Sequence, residues 1–289
     1  MKRIFNRLLP KAFRSEAITI PVIRLHGTIQ TGGGAFRQSL SLASTAGLIE
    51  KAFAFQKAPA VAISINSPGG SPVQSRLIFK RIRDLAEEKN KTVLVFIEDV
   101  AASGGYMIAV AGDEIFADPS SIVGSIGVVS ASFGFTDLMK KVGVERRVYT
   151  AGANKSVLDP FKPEKQEDIE RLKALQLDVH ATFIDLVKSR RGAKLVDDPE
   201  MFTGLFWTGS KGVELGLVDA LGDMRGVLRD RYGPKTKLQL VTQPRGFLGK
   251  RLGLFGSKDT FSPPDIAASA ANGLMDAAQE RALWSRFGL

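Results

Sequence analysis

Two near-continuous apolar runs, VAISI at residues 61–65 and TVLVFI at residues 92–97, constrain this chain more than any other feature. A strand with one face in water alternates apolar and polar residues, so runs that do not alternate belong to strands covered on both faces. The segment between them, PVQSRLIFKRIRDLAEEKN, places its apolar residues at helical spacing. Strand, helix and strand in that order form a crossover between parallel strands. The same alternation continues outward. AITIPVIRLHG reads as a strand before these runs, and GGYMIAVAGD as a helix after them. Further on, VERRVYT reads as a strand, and the segment from PEKQEDIE to LVKSRRG as a long helix with acids early and bases late, matching its dipole. WTGSKGVELGLVDALGD then reads as a small helix, a turn and a strand. The class is α/β, with a mostly parallel sheet and helices on both faces.

An apolar content of 44% over 289 residues supports one large core or two modest ones. Cysteine is absent, which excludes disulfides, thiolate nucleophiles and cysteine-ligated zinc. The two histidines, His26 at a strand end and His180 within a helical pattern, read as structural. Hydrolytic chemistry here has to work without histidine. Of the net charge of +10, half comes from the first fourteen residues, MKRIFNRLLPKAFR, which hold five Lys or Arg and no acid. This divides the chain into a basic amphipathic segment at 1–15, a main domain at 16–240, and a Gly/Pro-rich basic linker with an amphipathic tail at 241–289. The basic ends suit peripheral contact with a membrane surface. No run approaches the roughly 18 to 20 apolar residues that cross a bilayer, and no secretory signal centre is seen, so the expectation is a peripheral membrane or cytoplasmic protein. The positive excess is half terminal and has no aromatic partners, so nucleic acid is not an expected partner.

Three glycine-bearing turns follow strands: NSPGGS at 66–71, AASGGY at 101–106 and SIVGSIGVV at 121–129. Ligands of open α/β sheets bind outside the carboxyl ends of strands, where such turns gather. Neither a phosphate-binding G-x-x-x-x-G-K-[ST] nor a G-x-G-x-x-G is present, and no cofactor or metal is expected. Acyl transfer fits better. It needs a nucleophile, a base and two N–H groups aimed at a developing oxyanion. Ser103 stands at a helix start, where it is either a nucleophile or an ordinary cap. Gly104 and Gly105 beside it leave room for a substrate backbone, and Gly69 and Gly70 supply a second open backbone whose Gly70 N–H completes an oxyanion hole with that of Gly104. The base must then be a lysine. A free lysine titrates near 10.4. Lowering that by about three pH units costs about 4 kcal/mol, which demands an apolar pocket and hydroxyl partners rather than carboxylates. Lys155, a lone base among small and apolar residues in TAGANKSVLDPF, is the candidate; an ordinary loop lysine is the alternative.

INSPGGS, DVAASGGYMIAVAGDEIFADPSSIVGSIGVV, AGANKSVLDPF and GLFWTGSKGVELGLVDALGD, in that order, resemble the signal peptide peptidase A family of serine proteases, over residues 18–223. The resemblance implies a Ser/Lys dyad of Ser103 and Lys155, with Ser125 of GSIGV orienting the lysine amine and Gly70 in the oxyanion hole. It also implies a crotonase-like, Clp protease-like fold and a homo-oligomeric ring in which neighbouring subunits share the dyad. The implied activity is an endopeptidase acting on short apolar peptides such as cleaved signal peptides. Two other functions are consistent with the residues. A crotonase-type acyl-CoA enzyme would use Glu98 or Asp99 near the oxyanion hole, and a catalytically silent scaffold would bind peptides or membranes through the basic ends.

Overall fold

The computed structural model describes residues 17–31, 39–242, 277–278 and 280–289. The N-terminal basic segment and most of the linker and tail lie outside the described residues. Two long parallel pairs form the centre of the sheet: β1 (Thr19–His26) beside β2 (Ala60–Ser67), and β2 beside β3 (Thr92–Ala102). Between them run α1 (Leu42–Phe53) and α2 (Pro72–Lys89). Ser41 caps α1 in a reciprocal box with Ser44, and Ser71 caps α2, with Pro72 in the first turn where its missing N–H costs nothing. Asn90, left-handed at φ 48°, ends α2.

β3 is the longest strand, with 11 residues, and serves two neighbours on one edge. Leu94 to Ile97 pair with β4 (Glu114–Ala117), and Val100 to Ala102 pair with β5 (Ile122–Gly124). The short α3 (Gly104–Ala109) leaves directly from its end. Beyond β5 come α4 (Thr136–Val142), α5 (Gln166–Arg191), β6 (Phe206–Thr208), α6 (Gly209–Glu214), β7 (Ala220–Leu221), α7 (Met224–Tyr232) and β8 (Lys237–Leu240). The strand order is β6-β5-β3-β2-β1-β8, with β4 on β3 and β7 on β4, and every pairing is parallel except β5 with β6.

Both faces of the sheet are covered, as the unbroken apolar runs require. One face carries Ile23, Leu25, Ile63, Ile65, Val93 and Val95 under α1, α2 and α3, with Phe183 and Val187 of α5 joining the same core. The other face is smaller: Val22, Ala62, Leu94 and Phe96 lie under Leu228 of α7. Phe96 and Phe116 stack there at 5.1 Å across β3 and β4. At the carboxyl end of that face, Trp284 and Phe287 from the C-terminal segment pack on Val100, Ala102 and Ile122, and Phe287 meets Phe206 edge-on at 5.1 Å.

Residues 128–182 differ from everything else. None of them is buried, although they include Phe133, Phe135, Leu138, Tyr149 and Phe161. VERRVYT, read from sequence as a strand, forms no strand: its β-branched residues have no neighbouring strand to pair with, and the segment is almost wholly exposed. Local β preference decides little without a pleated surface to pack on. The first four turns of α5 bury nothing, and the helix joins the core through its last turns, with Phe183, Val187 and Arg191 buried and Ile184 and Leu186 packed beside them. Among the described residues no helix is long and apolar enough to cross a membrane.

Candidate active site

The register of β3 and β5 builds the centre of the site. Ala102 pairs with Gly124, so the next residue of each strand, Ser103 and Ser125, stand side by side, about 5 Å apart at the usual strand spacing. Both leave their strands with φ 52°, a left-handed conformation that costs a residue with a Cβ about 1 to 3 kcal/mol. The backbone around them is firmly held. The Ser103 N–H donates to the Gly124 carbonyl at 2.8 Å, and the Ser125 N–H to the Leu205 carbonyl at 2.7 Å. Ser103 is partly exposed among buried neighbours, and its side chain makes no capping hydrogen bond to α3. That separates it from an ordinary cap.

The glycines of NSPGGS close on this corner. Ile29 donates to the Gly69 carbonyl and accepts from the Ser71 N–H, so the N–H of Gly70, the residue between, points away from Ile29. Gly70 has φ 138°, and a Cβ there would fall 2.1 Å from the Ile29 oxygen, so only glycine fits. A Cβ on Gly104 would stand 2.4 Å from Ser75 Oγ and 3.4 Å from the Gly70 nitrogen. The Gly70 and Gly104 backbones thus lie close together beside Ser103, and neither N–H donates to a described residue. A Cβ on Gly69 would lie 2.9 Å from both the Gly104 nitrogen and Ser103 Cβ, so this turn packs directly on the serine turn. Gly105 faces elsewhere. Its missing side chain lets α3 lie against β2, where a Cβ would be 2.5 Å from the Ser67 carbonyl.

Tyr106 anchors α3 from below. It is fully buried, donates to the Leu217 carbonyl at 2.8 Å, and burial pushes its phenol far above the ordinary range, so it stays protonated and is no base. Nearby, Arg191 donates to the Gly216 carbonyl and to Asp219 at 2.7 Å, which ties the end of α5 to the same turn. Burial pulls the Asp219 carboxyl upward, but hydrogen bonds from Arg191, Lys194 and the Ile115 N–H outweigh it and hold the group below its usual range.

Among the described residues no hydrogen bond joins Lys155 to Ser103 or Ser125. The lysine lies in an exposed turn in the unburied region, its N–H donating to the Gly152 carbonyl at 3.3 Å. Sequence reading placed it after a strand; it follows exposed coil instead. Glu98 and Asp99, the carboxylates of the acyl-CoA alternative, are engaged with β2 side chains. Ser64 Oγ donates to Glu98 at 2.5 Å and Asn66 to Asp99 at 2.6 Å. His26 completes that cluster, 2.8 Å from Ser64 Oγ, and burial holds its imidazole below the ordinary value against the opposing pull of Glu98. The histidine that sequence reading left without a partner at the site is His180, whose Nε2 lies 2.9 Å from the Ile126 carbonyl, one residue beyond Ser125. Its helical spacing could not reveal that contact.

With this geometry established, comparison with known proteins gives the class. The model of peptidase family S49 matches residues 86–232, about half of the chain, and the chain belongs to that family. It is 65% identical, over 99% of its length, to part of a Brucella abortus protein named Na(+)/H(+) antiporter NhaA, of which it spans 39%. It is 34% identical to the chloroplastic serine protease SPPA of Arabidopsis thaliana, over 71% of this chain and 31% of that one. A putative signal peptide peptidase SppA of Enterococcus faecium is 30% identical, over 56% of this chain and 47% of that one. The chain thus spans less than half of each of these relatives.

Proposed function

We propose that this protein is a serine endopeptidase that cleaves short apolar peptides in extended conformation, cleaved signal peptides among them. One observation carries the reading: two strained serines at adjacent strand ends, beside two backbone N–H groups that have no acceptor among the described residues. Ser103 Oγ attacks the scissile carbonyl, and its proton passes to the neutral amine of Lys155. The oxyanion forms between the Gly70 and Gly104 N–H groups. Lys155 then returns the proton to the leaving amine, and water activated by the same amine releases the acyl group from Ser103. Ser125 offers the amine a hydroxyl partner that carries no charge, so the neutral form is not penalised as it would be beside a carboxylate. Gly69 shapes the wall that the substrate backbone passes.

Lys155 lies in an exposed turn of its own chain, and in this reading it reaches the Ser103 of a neighbouring subunit. The unburied apolar side chains of residues 128–182 support a homo-oligomeric ring in which each copy lends its lysine to the next. A crotonase-like, Clp protease-like arrangement of the main domain, residues 16–240, fits the mostly parallel sheet with its forked third strand. The Brucella relative joins this module to a longer chain named as an antiporter, which supports work at a membrane surface.

The test is hydrolysis of a fluorogenic apolar peptide from neutral to alkaline pH by wild type, Ser103→Ala and Lys155→Ala, with oligomeric state measured for each. Activity that rises with pH in wild type and is lost in both variants supports the dyad, and partial recovery on mixing the two variants supports sharing between subunits. An active Lys155→Ala protein removes the lysine from the mechanism. Labelling by an acyl-CoA in place of a serine-directed phosphonate would favour the crotonase alternative.

A further inference from the structure

We propose that His180 is a positioning residue, whose Nε2–H holds the Ile126 carbonyl and thereby keeps Ser125 where the lysine amine has to be met. The inference rests on the Ser/Lys reading given above. Ile126 is fully buried, and the turn it belongs to is tight, with the Gly127 N–H donating back to the Ser125 carbonyl at 3.0 Å. Among the described residues no backbone N–H reaches the Ile126 carbonyl, so His180, at 2.9 Å, is its partner. A partly buried carbonyl that loses its donor is destabilised, and a turn already strained at Ser125 has an easy way to relax.

Besides the Ile126 side chain, which is packed in the core, the other supports of this turn are backbone contacts. Leu205 accepts the Ser125 N–H, and Gly127 lies so close to Gly204 that a Cβ on Gly127 would be 2.9 Å from the Gly204 Cα. His180 is the side chain that adds the third point of attachment, and it does so from one turn before Phe183, where α5 enters the core. An open cleft of about 230 Å³ beside the ring, lined by Val128, Lys173, Gln176, Leu177 and His180, leaves room for a different side chain to be substituted without overpacking. The helix that follows the Lys155 region therefore also sets the position of the serine that region must find.

The experiment compares wild type, His180→Ala and His180→Gln in the same peptide assay, with Ser103→Ala and Lys155→Ala as controls. His180→Ala is expected to lower kcat about tenfold while KM changes by less than about twofold, the pattern of a lost transition-state arrangement. Its activity should also rise at higher pH than that of wild type, because the neutral amine loses a well-placed hydroxyl. His180→Gln, which can still present an N–H near the Nε2 position, is expected to recover most of kcat. A second measurement needs no variant: nitrogen NMR of the wild-type imidazole should find the proton on Nε2.

A folded His180→Ala protein with wild-type kcat and pH profile overturns the assignment, as does a neutral ring protonated on Nδ1. An active Ser103→Ala control would instead bring down the peptidase reading, and this inference with it.

Discussion

The end of β3 and the region from residue 128 to 182 carry the two halves of the proposed dyad, and they are built in opposite ways. Ser103 stands on a strand buried on both faces, with its backbone pinned by Gly124 and its helix anchored by Tyr106. Lys155 stands where no residue is buried over several tens of positions. Packing on every side can hold a serine in a strained conformation, whereas an exposed turn fixes its side chains only loosely. The comparison teaches that, under the proposed mechanism, the nucleophile and its oxyanion donors would come from the packed part of one chain, whereas the base would come from a region that is exposed in that chain.

The sharpest way to break this comparison is to remove each half. Ser103→Ala and Lys155→Ala should each lower kcat about a thousandfold or more, yet their thermal stabilities should differ little from wild type. Ser103→Gly, which relieves the positive φ, should lose activity and gain up to about 1 kcal/mol by chemical denaturation. A destabilised Ser103→Gly protein would mean that the strain is not there. Next in size is Gly70→Ala, whose Cβ has no room beside the Ile29 carbonyl. It should cost about 3 kcal/mol by denaturant titration and abolish hydrolysis, while the same change at Gly152, where a Cβ would meet nothing, strains only a local φ of 99° and should cost about 1 kcal/mol.

On the exposed side, Phe133→Ser should leave the stability of the isolated chain within about 0.5 kcal/mol of wild type, since Phe133 is 81% exposed. Its effect belongs in assembly, as a lower sedimentation coefficient at a given protein concentration. Unchanged assembly would deny that region the role of a contact.

The smallest expected effect is on pH. Because the Asp219 carboxyl is held below its unfolded value, its stabilising contribution is present above about pH 4 and is lost as pH falls through the folded value. His26 is lowered as well, so its neutral form favours the folded state. That contribution is complete above about pH 6.5 and declines below it, as the unfolded chain takes up a proton first. Unfolding midpoints of wild type, Asp219→Asn and His26→Gln across acid to neutral pH separate the two windows.

Much of this was legible in the sequence. VAISI and TVLVFI required a doubly covered parallel sheet, and SGG and SPGG marked chain turns where a Cβ has no room. Ser125 was named only through the family resemblance; its place beside Ser103 follows from the register of β3 and β5, which no local pattern encodes. VERRVYT was misread because β-branched residues favour strands only where a neighbouring strand exists to receive them. Lys155 looked suitable for burial from its small and apolar neighbours, but burial is a property of what packs on a segment, and within one chain little does. His180 was hidden for a similar reason: its partner is a carbonyl, and carbonyls carry no sequence signal.

Trp284 and Phe287 cover the backs of Val100, Ala102 and Ile122, the strand ends from which the two serines emerge. A ribosome makes those strands long before it makes the aromatic residues that brace them. Until residues 284–287 have been made, Val100, Ala102 and Ile122 lack the aromatic side chains that cover them, and the strand ends carrying the two serines are less firmly braced. Order of synthesis thus leaves an interval in which the turns at Ser103 and Ser125 exist without the aromatic pair that backs them.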